Sequence, residues 1–205
     1  MLLAAAFAAC GGGGGEPTTP PLDGAPSSQA RDEAGIPVVE VPALWAPIDD
    51  LPALVASADV IFVGEVTAQK QQRDGGPKGH EGPLGRGYPV SVFEVTVERV
   101  VAGDLSAGEV VAFQQAGGLL TTTDGSTIRI VLEHEEPIKV GERYLLFASQ
   151  QENGAFATAP FGRMRVKGAD TLTALDDWKH LKGLEKLARL PLEAAIREIG
   201  RAAAP

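Results

Sequence analysis

A chain of 205 residues, 44% of them hydrophobic, can bury one core and carry tails, or form at most two small domains. Its formal net charge of −9 leaves no basic stripe for neutralising phosphates, so nucleic acid is not an expected partner, and the same sign opposes attraction to anionic head groups. A single cysteine excludes an intrachain disulfide, and a 5% aromatic content leaves few platforms for stacking bases or sugars.

The chain opens with MLLAAAFAA, residues 1–9, an apolar run ending in small residues. That is the pattern of a secretory leader and its cleavage site, and it is too short to span a bilayer. No Lys or Arg precedes the run, which implies a translation start further upstream. Phe7-Ala8-Ala9-Cys10 resembles the bacterial lipobox. The resemblance implies that Cys10 becomes a lipidated N-terminus: the thioether needs a thiol, and the peptidase needs small residues before it. Residues 10–47 then read as a lipid-anchored, disordered tether. Five glycines and the stretch EPTTPPLDGAPSSQ cannot bury enough surface to offset chain entropy, and such a tether has a mean span of roughly 35 Å. Within it, residues 38–41 form either a short strand or a surface crossing, and Trp45 is expected against the domain edge.

Residues 49–58, DDLPALVASA, predict a short helix capped by Asp49 or Asp50, with Pro52 in its first turn and Leu51, Leu54 and Val55 on one face. Residues 60–66, VIFVGEV, predict a buried strand in which Gly64 marks a bulge, a bend or a close backbone approach. Residues 69–87 form a polar, glycine-rich loop, long enough to be either functional or disordered. Its GPLGRG lacks the ending of a phosphate loop, and its solitary His80 reads as solvated. Residues 89–101, PVSVFEVTVERVV, are the longest β-like run. Phe93, Val95 and Val97 alternate with Glu94 and Thr96, and the adjacent apolar pair Val92-Phe93 implies either a bulge or a strand covered on both faces. A strand at 110–114 follows, and Gly117-Gly118 breaks it. Residues 119–123 and 127–132 flank Asp124-Gly125 as a hairpin. His134 and Glu136 would share one face of a strand, but two ligands make a poor metal set, so 133–136 reads as an acidic, solvated strand end. A buried strand at 143–148, a turn at Asn153-Gly154 leading to 155–159, and a hairpin of 164–167 with 171–175 complete the β region. Asp176 or Asp177 caps a helix to Leu190 with Leu181, Leu184, Leu187 and Ala188 as its stripe, and Pro191 starts another over 192–203.

The expected fold is mainly β with C-terminal α: a small OB-like Greek-key barrel of five or more strands over 48–176, a short N-terminal helix, and one or two helices over 177–203 covering an open side. The segments ADVIFVGEV, FEVTVERVVAGD, GEVVAF and VGERYLLFAS, in that order, resemble the OB-like barrel of netrin-type domains and of the tissue inhibitors of metalloproteinases. That resemblance implies a five-stranded barrel with helices nearby. The inhibitors chelate a protease zinc with a disulfide-bonded cysteine wedge; this chain has none, so inhibition is carried over to no residue.

No GxSxG elbow is present, histidine and cysteine are scarce, and no carboxylate stands in an obviously apolar setting. No catalytic, cofactor-binding or metal-ligating residue is assigned. The expectation is a non-enzymatic cell-envelope lipoprotein, held to the membrane by lipid on Cys10 and displaying a binding module for a protein or glycan. Gly11 after the cysteine favours the outer membrane in a Gram-negative host. Two alternatives stand beside it: a metal-dependent or hydrolytic envelope enzyme using loop 69–87 and the acidic segment 133–136, and a netrin-like inhibitor of secreted proteases.

Overall fold

In chain order the elements are β1 (Val38–Val41), α1 (Leu51–Ala56), β2 (Val60–Arg73), β3 (Val90–Ala102), β4 (Val110–Ala116), β5 (Gly118–Thr121), β6 (Thr127–Leu132), β7 (Arg143–Gln150), β8 (Phe156–Ala157), β9 (Arg163–Lys167), β10 (Thr171–Ala174), α2 (Leu184–Leu187) and α3 (Leu192–Ala202). They come from a computed structural model that describes residues 31–32, 34–42, 48–73, 89–122, 124–133, 135–158, 162–168, 170–174 and 184–203. The stretch read as a leader, Cys10, Trp45, His80, His134 and the start of the helix expected before Leu190 lie outside the described residues.

The main sheet runs β10-β9-β7-β2-β3-β4-β8, and β8 returns to pair with β7. The ring β7-β2-β3-β4-β8 is therefore a closed five-stranded barrel. Its pairs are antiparallel except β4 with β8, which is parallel. Taken as first to fifth, the strands stand in the order 1-2-3-5-4, the connectivity of an OB-type barrel, as expected.

The uninterrupted apolar runs in β2 and β7 arise because each strand serves two cores. Val60, Phe62 and Val66 of β2 and Tyr144, Leu146 and Ala148 of β7 fill the interior with Phe93, Val95, Val97, Val111 and Phe113. Ile61, Val63, Leu145 and Phe147 point outward into a second cluster with Leu54, Met164, Leu172, Leu184, Ala195 and Ile199, which binds β9, β10 and the three helices to the barrel. Asp50 caps α1, accepting the Ala53 amide at 2.9 Å. Gly64 sits where β2 and β3 nearly touch: a Cβ there would lie 2.6 Å from Val95 Cγ1 and 2.9 Å from the Thr96 carbonyl.

Two expectations are corrected. The alternation of β3 is regular from Ser91 to Val97, and it stays in step with β4 throughout. The β2–β3 ladder does shift opposite Val92-Phe93, but the extra residue, Lys70, is on β2. The span read as tether is also partly folded. Its β1 pairs in parallel with β6, from Val38 opposite Arg129 to Val41 opposite Leu132. Asp32 nearby accepts the Arg129 Nε at 2.6 Å. Together β1, β6 and β5 form a separate three-stranded sheet around Val41, Ile130 and Leu132, with the β5–β6 hairpin turning at Asp124-Gly125 as expected. The chain leaves the barrel for this sheet at Gly117 and Gly118, whose φ values of 98° and 138° lie in the region that favours glycine.

Candidate functional site

The barrel wall changes partner along β7. From Ser149 onward β7 pairs with β8, whereas Arg143 to Leu146 pair with β9. Residues 135–139 cross between β9 and β4 where β8 is missing. The Ile138 amide donates to Gln115 Oε1 of β4 at 3.0 Å, Gln115 Nε2 donates to the Glu136 carbonyl at 3.4 Å, and the Ile138 side chain joins the interior core.

On β9, Arg163 stands opposite Leu146 and Arg165 opposite Tyr144. Cross-strand partners share a face, so both arginines project to the side that Leu146 and Tyr144 occupy, the barrel interior. Each meets an acid from the crossing segment. Arg163 Nη2 lies 3.4 Å from Glu135 Oε1, with the two side chains only 1% and 3% exposed. Arg165 pairs with Glu136, and its Nε lies 2.8 Å from Glu142 Oε2. Tyr144 donates its hydroxyl to Glu142 and accepts the Lys139 amide at 2.9 Å. Burial and the bond to Glu142 push its phenol up to about 12.

The Glu135–Arg163 pair is under-satisfied. Among the described residues, Glu135 Oε2 and all three guanidinium nitrogens of Arg163 have no hydrogen-bond partner. Burial pushes the Glu135 carboxyl above its ordinary range, while the Arg163 charge and a bond from Gln115 pull against that. Beside the pair, between the barrel mouth and the small sheet, lies a cavity of about 80 Å³ lined by Ser91, Phe93, Gln115, Arg129, Glu135 and Ile138, among others. Ser91 Oγ donates to the Gly117 carbonyl at 3.0 Å. At the other end of β4 a cleft of about 470 Å³ is lined by Asp59, Asp104, Glu109, Val110, Gln150 and Phe156, among others. Two of its acids are engaged locally: Asp59 accepts the Gln150 amide and Glu109 the Ser106 amide.

The acidic segment 133–136 is thus only in part a solvated strand end: Glu133 is exposed just beyond β6, but Glu135 is buried and Glu136 is tied to β9. The expectation that no carboxylate has an apolar setting fails at Glu135. The missed signal was RMRV at 163–166, which places two arginines on one face of a strand and so calls for buried acids opposite them. Of loop 69–87, Gln69 lines the cavity and 74–87 lie outside the described residues. Among the described residues, no group of three or more His, Cys, Asp and Glu side chains is placed to hold a metal, and no helix is long and apolar enough to cross a membrane.

The outer face of β3 and β4 differs from that of β2 and β7. None of the three hydrophobic clusters includes Val92, Val110 or Ala112. Val110 is 56% exposed, Ala112 is exposed, and Glu94, Thr96 and Gln114 are half-buried. Lys70 pairs with Glu94 across this face at 3.1 Å. The class these features define is an OB-type barrel with an accessory sheet and a one-sided helical layer. No protein-family model matches the chain, and no curated protein matches it significantly.

Proposed function

We propose that this chain is a non-enzymatic, lipid-anchored cell-envelope protein that binds a protein or glycan through the outer face of β3 and β4. The carrying observation is the sidedness of the barrel. Helices and extra strands pack on the outside of β2 and β7, while Val110 and Ala112 of β4 stay exposed. The corresponding strands are those that OB-type barrels use for ligands. With Glu94, Thr96, Gln114 and the Lys70–Glu94 pair, the face offers hydrogen bonds and small apolar contacts rather than stacking rings or a basic track. The anchor rests on the lipobox-like Phe7-Ala8-Ala9-Cys10.

Two measurements test this reading. Mass spectrometry of the mature protein from its native envelope is expected to find Cys10 N-terminal and acylated; an unmodified Cys10 removes the anchor. Capture from host envelope with the full chain is expected to retain a specific ligand that Val110→Glu and Ala112→Arg release without altering the melting temperature. Equal capture by these variants moves the binding surface elsewhere.

A further inference from the structure

Strand β4 is only partly covered along one edge. At its start the Gly108 amide donates to the Val97 carbonyl at 2.7 Å, and the Val97 amide donates to the Glu109 carbonyl at 2.8 Å. Further along, Val95 faces Val111 and Phe93 faces Phe113. In an antiparallel ladder, residues that exchange bonds with a neighbouring strand alternate with residues whose N–H and C=O point the other way. Glu109, Val111 and Phe113 therefore turn to β3, and Val110 and Ala112 turn their backbone groups away from it. On that side the neighbour is β8, which meets β4 only at Phe113 and Gln114. Among the described residues, the Val110 N–H and C=O and the Ala112 N–H thus have no strand beside them, and both residues are exposed. An edge left open in this way is a template for one more strand.

The open groups border the cleft of about 470 Å³ at this end of β4, a size in the range of ligand clefts. Charge selects what enters. Asp59, Asp104 and Glu109 line the cleft and are exposed, and no Lys, Arg or His lines it among the described residues. Asp59 and Glu109 each accept one backbone amide, which leaves their carboxylates room for more donors, and Asp104 makes no bond to a described residue. The whole chain carries a formal net charge of −9, so a second copy or an acidic strand is repelled here. A basic segment is attracted, and the aliphatic stems of its side chains find apolar surface at Val110 and Leu105.

We propose that the open stretch of β4 takes up an extended, basic peptide segment of a partner protein as an added strand, with the three carboxylates holding its cationic side chains. The inference goes beyond the anchored-module reading: it uses the edge of β4 rather than the outer face, and it holds with or without a lipid.

The test is a titration of the ¹⁵N-labelled full chain with three short capped peptides: one alternating lysine and valine, one alternating glutamate and valine, and one alternating lysine and proline. The lysine–valine peptide is expected to shift the Val110, Ala112 and Phe156 amides saturably and to slow hydrogen exchange at Val110 and Ala112. The glutamate peptide, which has the wrong charge, and the proline peptide, which lacks half the ladder donors, are expected to bind about ten-fold more weakly or worse. Asp104→Lys, a change at an exposed residue, is expected to weaken the lysine–valine peptide by about three-fold or more while melting as wild type. Absence of a saturable shift overturns the proposal, as does equal binding of either control peptide or unchanged binding by Asp104→Lys. Binding without protection of the two amides is ionic contact alone and overturns it too. So does protection already present in the free protein, which assigns the edge to the chain itself or to a second copy. Shifts confined to Val92, Glu94 and Thr96 overturn it while leaving the reading of the β3–β4 face intact.

Discussion

Arg163 is the largest of the fully buried side chains, and one carboxylate faces it. Removing either partner leaves a buried charge alone, whereas removing both leaves none. Arg163→Met is therefore expected to lower unfolding free energy by about 3–5 kcal/mol, and the double change with Glu135→Leu to recover most of that loss; urea denaturation measures both. The same carboxyl predicts a pH dependence. Its folded pKa is raised above the ordinary 4.5, so the folded state binds the extra proton. The contribution is fully present below that ordinary value and is lost as pH rises through the raised one. Wild-type stability is expected to fall over this range relative to Glu135→Gln, read from urea midpoints. Asp124 has the opposite sign: bonds from Thr122 and Ser126 hold it at about 2, so its contribution is present above 3.8 and lost as pH falls through about 2. None of the Glu135 behaviour was legible locally. Glu133, His134 and Glu136 make the neighbourhood look wet, and its burial depends on arginines from a strand formed later in the chain.

At the scale of elements, local chemistry was read most accurately where it is self-contained. The α1 cap, the Asp124-Gly125 hairpin and the buried strands at β2 and β7 are set by their own residues. Asp50→Ala is expected to lower stability by about 1 kcal/mol by freeing the Ala53 amide. Gly64→Ala is expected to lower it by about 1–3 kcal/mol, because the new methyl meets Val95 and the Thr96 carbonyl at the β2–β3 crossing; thermal melts of both variants check these figures. What the sequence left open are elements defined by a partner. Residues 38–41 read as either a strand or a surface crossing, and they take the strand form because β6 is beside them, in a parallel register that no turn dictates. Likewise, the ladder shift opposite Val92-Phe93 belongs to β2, and a one-strand pattern cannot say which side holds the extra residue.

Across the whole molecule, the fold class was legible because a closed small barrel needs alternation on some strands and continuous apolarity on others, and both are written in the residues. The order of the strands was carried by resemblance; that the C-terminal helices cover one side was expected from their apolar stripes, but that this side is the outside of β2 and β7 was not visible. Barrel closure rests on an uneven circumference. β2 and β3 share a long ladder, from Ile61 opposite Ala102 to Arg73 opposite Val90, while β8 meets β4 only at Phe113 with Phe156 and Gln114 with Ala157. The hoop is thus fastened by a two-tooth clasp. Under denaturant or tension the clasp is the first place to part, and hydrogen exchange is expected to be faster at the Phe156 and Ala157 amides than along the β2–β3 ladder. A springing clasp would bare the Phe113 and Phe156 rings before the rest of the hoop unrolls, giving this protein a sticky intermediate at one fixed point on its rim.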